Sequence, residues 1–577
     1  MHTSPPRVLG SPVTAGTGAA ATAPTAGMPA AGMPAAGLAA TTPAAGIATT
    51  AATAGAADGV ASGWRAWLRP RAWLVIVIPV IAELAVGGYR LGGASLWRDE
   101  AYTLDAARRS DGQILALLGN VDAVHGPYYL VMHVVVGILG GSAAAIRLPS
   151  LLGMSVAAGC TAALGRRLAR LAALPAPSVT GLAAGLLLVA APQTTYYAQD
   201  ARPYGLVTMF AVIATLLLIT AMADGRWRWW AAYSAAIALT SMFSLFALLL
   251  LFAHGATLMI TLARARNSRA PAPWPGVPRP SRWLAAAAAA IVAVSPLIAL
   301  GYRQSQTLGW VTRPGLWTVQ ALVTSFAGSR ALVPLAAAIA ACCLVTEIRR
   351  RHRQRFTITE VALPWLALPP LILLAVSLAR PAYVERYVVF CLPALALLSA
   401  AGLAWLARLV AATAAGRRAP GLAWVPSAAL AAAMAVLLTG PQQAIRLTSA
   451  RPDNLRAVSA IVAANELPGD AVFYIPSEAR VVSMGYPAPF SRLRDIALAR
   501  SPVASATLTG IQAPAAALPG RFAGIRRVWL VSWSDKPVAS QAAAAGRAEL
   551  ALVAGMRLVR HWTAGSVVLR LYEAPRR

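Results

Sequence analysis

Asp99 and Glu100 stand side by side in SLWRDEAYTLDAARR (95–109), immediately after the first strongly apolar run of the chain. Adjacent carboxylates can take a proton from a hydroxyl or offer oxygen ligands to a divalent cation. Three more polar groups interrupt apolar sequence: Asp122 and His125 in DAVHGPYYLVMH (122–133), Asp200 and Arg202 in YYAQDARPYG (196–205), and Arg380, Glu385 and Arg386 in ARPAYVERYVVF (379–390). Ionisable residues at membrane depth cost roughly 2.5–3.5 kcal/mol each on insertion scales, so they are functional candidates by default. The arginines among them suit a phosphate, which a guanidinium holds through two parallel hydrogen bonds.

Each group also has a simpler reading. Asp99 and Glu100 can form a solvated loop beside Arg98, Asp200 can pair locally with Arg202, and Glu385 with Arg386 can fix helix registry. His133 and His254, both in apolar stretches, read as packing residues, and Trp97, Trp310 and Trp317 as an interfacial aromatic belt.

The elements that position these residues follow from composition. The chain has 577 residues, 58% of them hydrophobic, a net charge of +30 and repeated apolar runs. The runs are about 20 residues long, the length that crosses a bilayer core of roughly 30 Å. This pattern predicts an all-α polytopic membrane protein. Arginines cluster between the runs, so retention on one side of a membrane explains the charge better than nucleic acid does. Cys160, Cys342, Cys343 and Cys391 lie in apolar runs without metal-type spacing and read as small buried hydrophobes. Residues 1–63 form a Pro/Ala/Thr/Gly tract that includes the repeat AGMPA, without a basic start and apolar core, and are expected to be a disordered cytosolic tail.

Domain 64–440 is expected to hold about eleven spans. Arg65, Arg69 and Arg71 before the run 72–90 put the N-terminus inside and the loop 91–127 outside. The run at 128–141 is short and reads as an interfacial helix. Crossings follow at 148–165, 180–195 and 205–223, then a hairpin within 230–262 turning near Thr240–Ser244, then 283–301, 331–346, 361–378, 387–408 and 424–439. This threading places every polar group named above on the outer side. Residues 441–577 are less apolar and predict a small extracytoplasmic α/β domain. Its expected elements are a helix capped by Asp453 and stopped at Pro468–Gly469, and strands at 471–476, 527–533 and 566–574.

Taken in order, WRDEAYT (97–103), DAVHGPYYLVMH, YYAQDARPYG and VERYVVFCLPAL (384–395) resemble the GT-C superfamily of membrane glycosyltransferases. Within it the chain is similar to the bacterial protein O-mannosyltransferase and aminoarabinose-transferase-like group, of the dolichyl-phosphate-mannose type. The resemblance covers roughly 72–410. It implies a polyprenyl-phosphate-linked sugar donor, mannose or related, and inverting transfer to a glycan, lipid or protein acceptor at the outer face of the plasma membrane. It also implies that Asp99 is the catalytic base, with Glu100 beside it and Asp200 at the family's second acidic position. Where relatives carry His-Pro-Pro, this chain has His125-Gly126-Pro127. The substrate-binding candidates are Asp122, His125, Tyr128, Tyr197, Arg202, Tyr204, Arg380, Glu385 and Arg386. Asp99, Glu100 and Asp200 are the ligands for a divalent metal, if the enzyme uses one. The alternative from another class is a polytopic transporter or lipid flippase. Such proteins tend to show internal repeats and ionisable residues at the midplane; here no repeat is visible and the polar groups fall at span ends.

Overall fold

A computed structural model describes residues 72–174, 176–267, 279–305, 310–334, 337–338, 341, 356–413, 424–533 and 553–575. The expected tail at 1–63 lies outside the described residues. The chain begins with α1 (Leu74–Gly88), followed by three short helices, α2 (Arg98–Arg108), α3 (Asp111–Asn120) and α4 (Gly126–Leu139). Next come α5 (Ala143–Leu171), α6 (Pro177–Ala190), α7 (Pro192–Ala198), α8 (Tyr204–Asp224), α9 (Trp227–Phe243) and α10 (Leu250–Asn267). Then follow α11 (Pro280–Arg303), α12 (Leu316–Ala327), α13 (Thr359–Ala379), α14 (Leu392–Ala411) and α15 (Val425–Ala444).

Among the described residues, seven helices are long and apolar enough to cross a bilayer: Ala143–Leu171, Tyr204–Asp224, Leu245–Arg266, Pro280–Arg303, Thr359–Ala379, Glu385–Ala411 and Val425–Ala444. An eighth crossing is formed if α6 and α7, bent by 65°, count together. The expectation of about eleven is corrected by particular runs. The run 72–90 yields a helix of 15 residues, and the first half of 230–262 one of 17, both short of a comfortable span. The run 331–346 lies largely outside the described residues. The run does break at the expected place, because the helix stops at Ser244, whose backbone is extended at φ −159° and ψ 113°.

Small residues let the first helices approach closely. A Cβ on Gly181 would lie 2.5 Å from the Ala162 carbonyl oxygen, and one on Gly185 would lie 2.9 Å from that of Ala158. Close backbone approach of this kind replaces the hydrophobic drive that lipid cannot supply between helices.

The C-terminal part carries α16 (Leu455–Asn465) and strands β1 (Ala471–Ile475), β2 (Arg494–Asp495), β3 (Leu498–Arg500), β4 (Ile511–Gln512), β5 (Arg527–Trp533), β6 (Arg557–Ala564) and β7 (Val567–Glu573). Five form one sheet in the order β2-β1-β5-β7-β6; β1 runs parallel to β2 and β5, and the β5–β7 and β7–β6 pairs are antiparallel. Period-2 alternation divides the core. Val472, Tyr474, Trp529 and Val531 face α16, while Phe473, Ile475, Val528 and Leu530 face the other side. The strand β6 escapes sequence reading because it is an edge strand carrying Arg557, Arg560 and His561, charges that guard an open edge. Asp453 does not cap α16: the Asn454 side chain accepts from the Ala457 amide at 3.2 Å. Ala101 of α2 belongs to the core built around α16, so the loop after α1 packs into the C-terminal domain.

Candidate active site

The α2 helix begins at Arg98, after an extended Trp97. Asp99 and Glu100 occupy its first turn, where the helix dipole favours carboxylates. Adjacent helical positions are about 100° apart, so the two point at different surroundings.

Glu100 turns inward. It is fully buried, and Arg147 Nε and Nη2 donate to its two oxygens at 2.7 Å each. The Ala201 amide adds a third bond at 2.9 Å. Burial alone raises a carboxyl pKa, but the Arg147 charge and hydrogen bonds outweigh it and hold Glu100 below its ordinary value. Arg147 also donates to the carbonyls of Leu91, Ala94 and Ser95, so this pair sets the loop backbone. Both Glu100 oxygens are thus committed to a buried ion pair.

Asp99 turns the other way. Its Oδ2 lies 3.5 Å from Arg386 Nη2, a loose pair with both side chains about one-fifth exposed. Arg386 comes from the 3-10 segment Glu385–Cys391, which leads into α14. Its guanidinium carbon sits 5.5 Å from the Trp310 ring centroid and 5.7 Å from that of Trp97, and its Nε has no hydrogen-bond partner. Trp97 is buried here and does not join the expected belt, while Trp310 and Trp317 are 55% and 64% exposed.

Asp200, in the link from α7 to α8, accepts from Trp97 Nε1 at 2.9 Å through Oδ1, and its buried Oδ2 has no partner. The expected local pair with Arg202 does not form. Burial, aided by the Glu100 charge, pushes Asp200 up to about 6 against the pull of Arg451 and Arg202. Between pH 4 and 6 the folded chain then holds a proton that the unfolded chain has released, so stability falls as pH rises through this window and is level above it. Asp200→Asn is expected to remove that slope, worth about 3 kcal/mol across the window. The check is thermal unfolding of both proteins from pH 4 to 7; a difference that does not change with pH would contradict it.

Arg202 bridges the remaining groups. Nη1 donates to Thr103 Oγ1 at 3.3 Å and Nη2 to His125 Nε2 at 2.9 Å, while the buried Nε has no partner. Burial, with help from the Arg202 charge, lowers His125 to about 4, so its ring is neutral at pH 7 and accepts through Nε2. Asp122 takes a left-handed backbone at φ 63° and accepts from the Tyr129 hydroxyl at 2.5 Å.

The other candidates are placed as follows. Tyr197 is buried edge-on between Tyr196 and Tyr204, with ring centroids at 5.1 and 5.3 Å. Glu385 accepts from the Ser325 hydroxyl of α12 and does not pair with Arg386. Tyr128 is buried in the apolar cluster beneath α2 with Leu104 and Met132. Arg380 is exposed at the end of α13, and no hydrogen bond or ion pair joins it to these residues. Sequence reasoning missed Arg147, Thr103 and Tyr129. Arg147 begins an apolar run, and the rule that flags ionisable residues at membrane depth applies to it equally.

The donors do not suit a divalent cation. Both Glu100 oxygens are committed to Arg147, Asp99 faces Arg386, and among the described residues no three His, Cys, Asp or Glu side chains converge.

No family model matches the sequence, and no curated protein matches it. Solved structures do. ArnT from Cupriavidus metallidurans in the apo state superposes with a TM-score of 0.50 at 14% identity, covering 86% of this chain and 97% of that one. The same protein bound to undecaprenyl phosphate gives 0.52 at 14% identity, covering 87% and 98%. With its polytopic helical bundle, its loop helix carrying Asp99 and its small C-terminal sheet, this chain shares the fold of ArnT.

Proposed function

We infer that the protein moves a sugar, mannose or related, from a polyprenyl-phosphate donor to an acceptor outside the cytoplasm, with inversion and with Asp99 as general base. The observation that carries this reading is the loose Asp99–Arg386 pair, held beside a second unsaturated guanidinium, Arg202. In an inverting transfer the acceptor oxygen bonds to the anomeric carbon as the bond to the phosphate oxygen breaks. Asp99 takes the hydroxyl proton, and the departing phosphate keeps the electron pair. The open Nε positions of Arg386 and Arg202 are donors for that phosphate. A loose ion pair lets Arg386 turn to the phosphate and free Asp99 for the hydroxyl.

The membrane supplies the rest. Arg386 begins a span, where a lipid headgroup meets protein, and an apolar cleft lined by Leu187, Phe326, Leu392 and Met434 opens beside the Ser325–Glu385 contact. The isoprenoid stays in lipid while its sugar meets an acceptor on the water side. In this reading Arg65, Arg69 and Arg71 keep the N-terminus in the cytosol, α1 crosses in spite of its 15 residues, and the site with the C-terminal domain lies outside the plasma membrane. The acceptor is a glycan, lipid or protein hydroxyl. ArnT, similar in fold, is known with undecaprenyl phosphate bound, which supports a donor of this chemical class.

The test is transfer of radiolabelled sugar from a panel of polyprenyl-phosphate sugars in membranes containing the protein. Label incorporation with one donor is expected and names the sugar. No incorporation with any donor of an adequate panel would overturn the reading and favour a transporter.

A further inference from the structure

The helix that presents Asp99 has no cap of its own. Trp97, at its N-cap position, makes no side-chain capping bond. The cap arrives from 355 positions away: Asp453 Oδ2 accepts from the Arg98 backbone amide at 3.0 Å and from Arg98 Nε at 2.8 Å. Its Oδ1 accepts from Arg98 Nη2 at 2.8 Å and from the Ser566 hydroxyl in the β6–β7 turn. Arg98 also lies over the Trp533 ring at 4.2 Å. Asp453 is fully buried and Arg98 is 27% exposed, so the carboxylate depends on Arg98 and Ser566 for its partners.

Two neighbours of Asp453 hold the other walls of the site. The Arg451 guanidinium covers the Tyr196 ring at 3.8 Å and donates to the carbonyls of Tyr196 and Gln199, at 3.0 and 2.5 Å, next to Asp200. Arg456 donates to the carbonyls of Gly92 and Gly93 at 2.9 and 3.0 Å, and its amide to Ser95 Oγ at 3.0 Å. Six consecutive residues thus grip both loops that carry the acidic groups. Backbone pairing of Asp453 with Gly565, and of Ser566 with Pro452, anchors the grip to the sheet.

We propose that residues 451–456 are the positioning clamp of the active site, with Asp453 capping the Asp99 helix in trans, so that sugar transfer depends on the docked C-terminal domain. This rests on the glycosyltransferase reading for its catalytic consequence only. Asp453 is a positioning residue, since it touches Arg98 and no reacting atom.

The experiment uses the full chain in lipid nanodiscs, with Asp453→Asn, Asp453→Ala, Arg98→Ala and the Arg98→Ala/Asp453→Ala double variant. Hydrogen exchange is read over Ala101–Arg108, and kcat and donor KM are read separately. Loss of the cap is expected to speed exchange in this helix about tenfold. kcat is expected to fall about 100-fold, the effect of a misplaced catalytic group, with donor KM within about twofold. The double variant is expected to be no worse than Asp453→Ala. Unchanged exchange overturns the clamp, as does faster exchange with unaltered kcat, or additive losses in the double variant. If Asp453→Ala fails to fold, Asp453→Val, which also lacks an acceptor oxygen, decides, while Asp453→Asn, which keeps one, is expected to lose less. Should the wild type transfer no sugar, the glycosyltransferase reading fails while the exchange arm still decides whether the cap exists.

Discussion

Asp99→Asn is expected to lower kcat for sugar transfer by about 10²–10⁴-fold while leaving donor KM nearly unchanged, because it removes the proton acceptor without altering shape. Arg386→Ala should separate from it in kind. Losing a charged hydrogen-bond donor to the phosphate raises donor KM about 10- to 100-fold in addition to any effect on kcat. Steady-state transfer in expression-matched membranes measures both. The assignment of roles fails if Asp99→Asn acts on KM alone, or if Arg386→Ala leaves donor saturation untouched. The prediction rests on the division of labour in the first turn of α2. Asp99 keeps a loose partner at 3.5 Å, while Glu100 has its oxygens committed at 2.7 Å.

The second large effect concerns that committed neighbour. Arg147→Met leaves Glu100 as a fully buried charge with one remaining hydrogen bond, from the Ala201 amide, and leaves the carbonyls of Leu91, Ala94 and Ser95 without their donor. Breaking one side of a buried pair costs about 3–5 kcal/mol, a large share of a typical folding free energy. Pairing it with Glu100→Gln removes the stranded charge, so the double variant is expected to be more stable than Arg147→Met alone. Thermal unfolding in one detergent, with all variants at one pH, compares them. A double variant as unstable as the sum of its parts would show that the pair contributes by shape and not by charge.

The candidate site was legible where a charge interrupts apolar sequence. Asp99, Asp200, Arg202 and Arg386 were all found that way, and the structure joins Asp99 to Arg386, Asp200 to Trp97 and Arg202 to His125. The same rule also selected Arg380, which sits exposed and apart, because a charge at a span end satisfies the rule whether it faces solvent or a site. Trp97 was misread as an interfacial anchor, since an indole beside a membrane and a buried indole beneath a guanidinium look alike in sequence.

By itself the sequence determined the membrane class, most span positions, the break at Ser244 and three of the strands, because these follow from hydrophobic length and period, which are local properties. Only the tertiary structure decided what each carboxylate touches. Asp99 and Glu100 are neighbours of like chemistry, and their surroundings diverge because a helix turns them toward Arg386 and Arg147, one 287 and the other 47 positions downstream. Asp453 reads as the cap of the helix that follows it and serves instead the helix that carries Asp99. Pairing energy depends on distance and burial in space, and neither is written in the spacing of the chain.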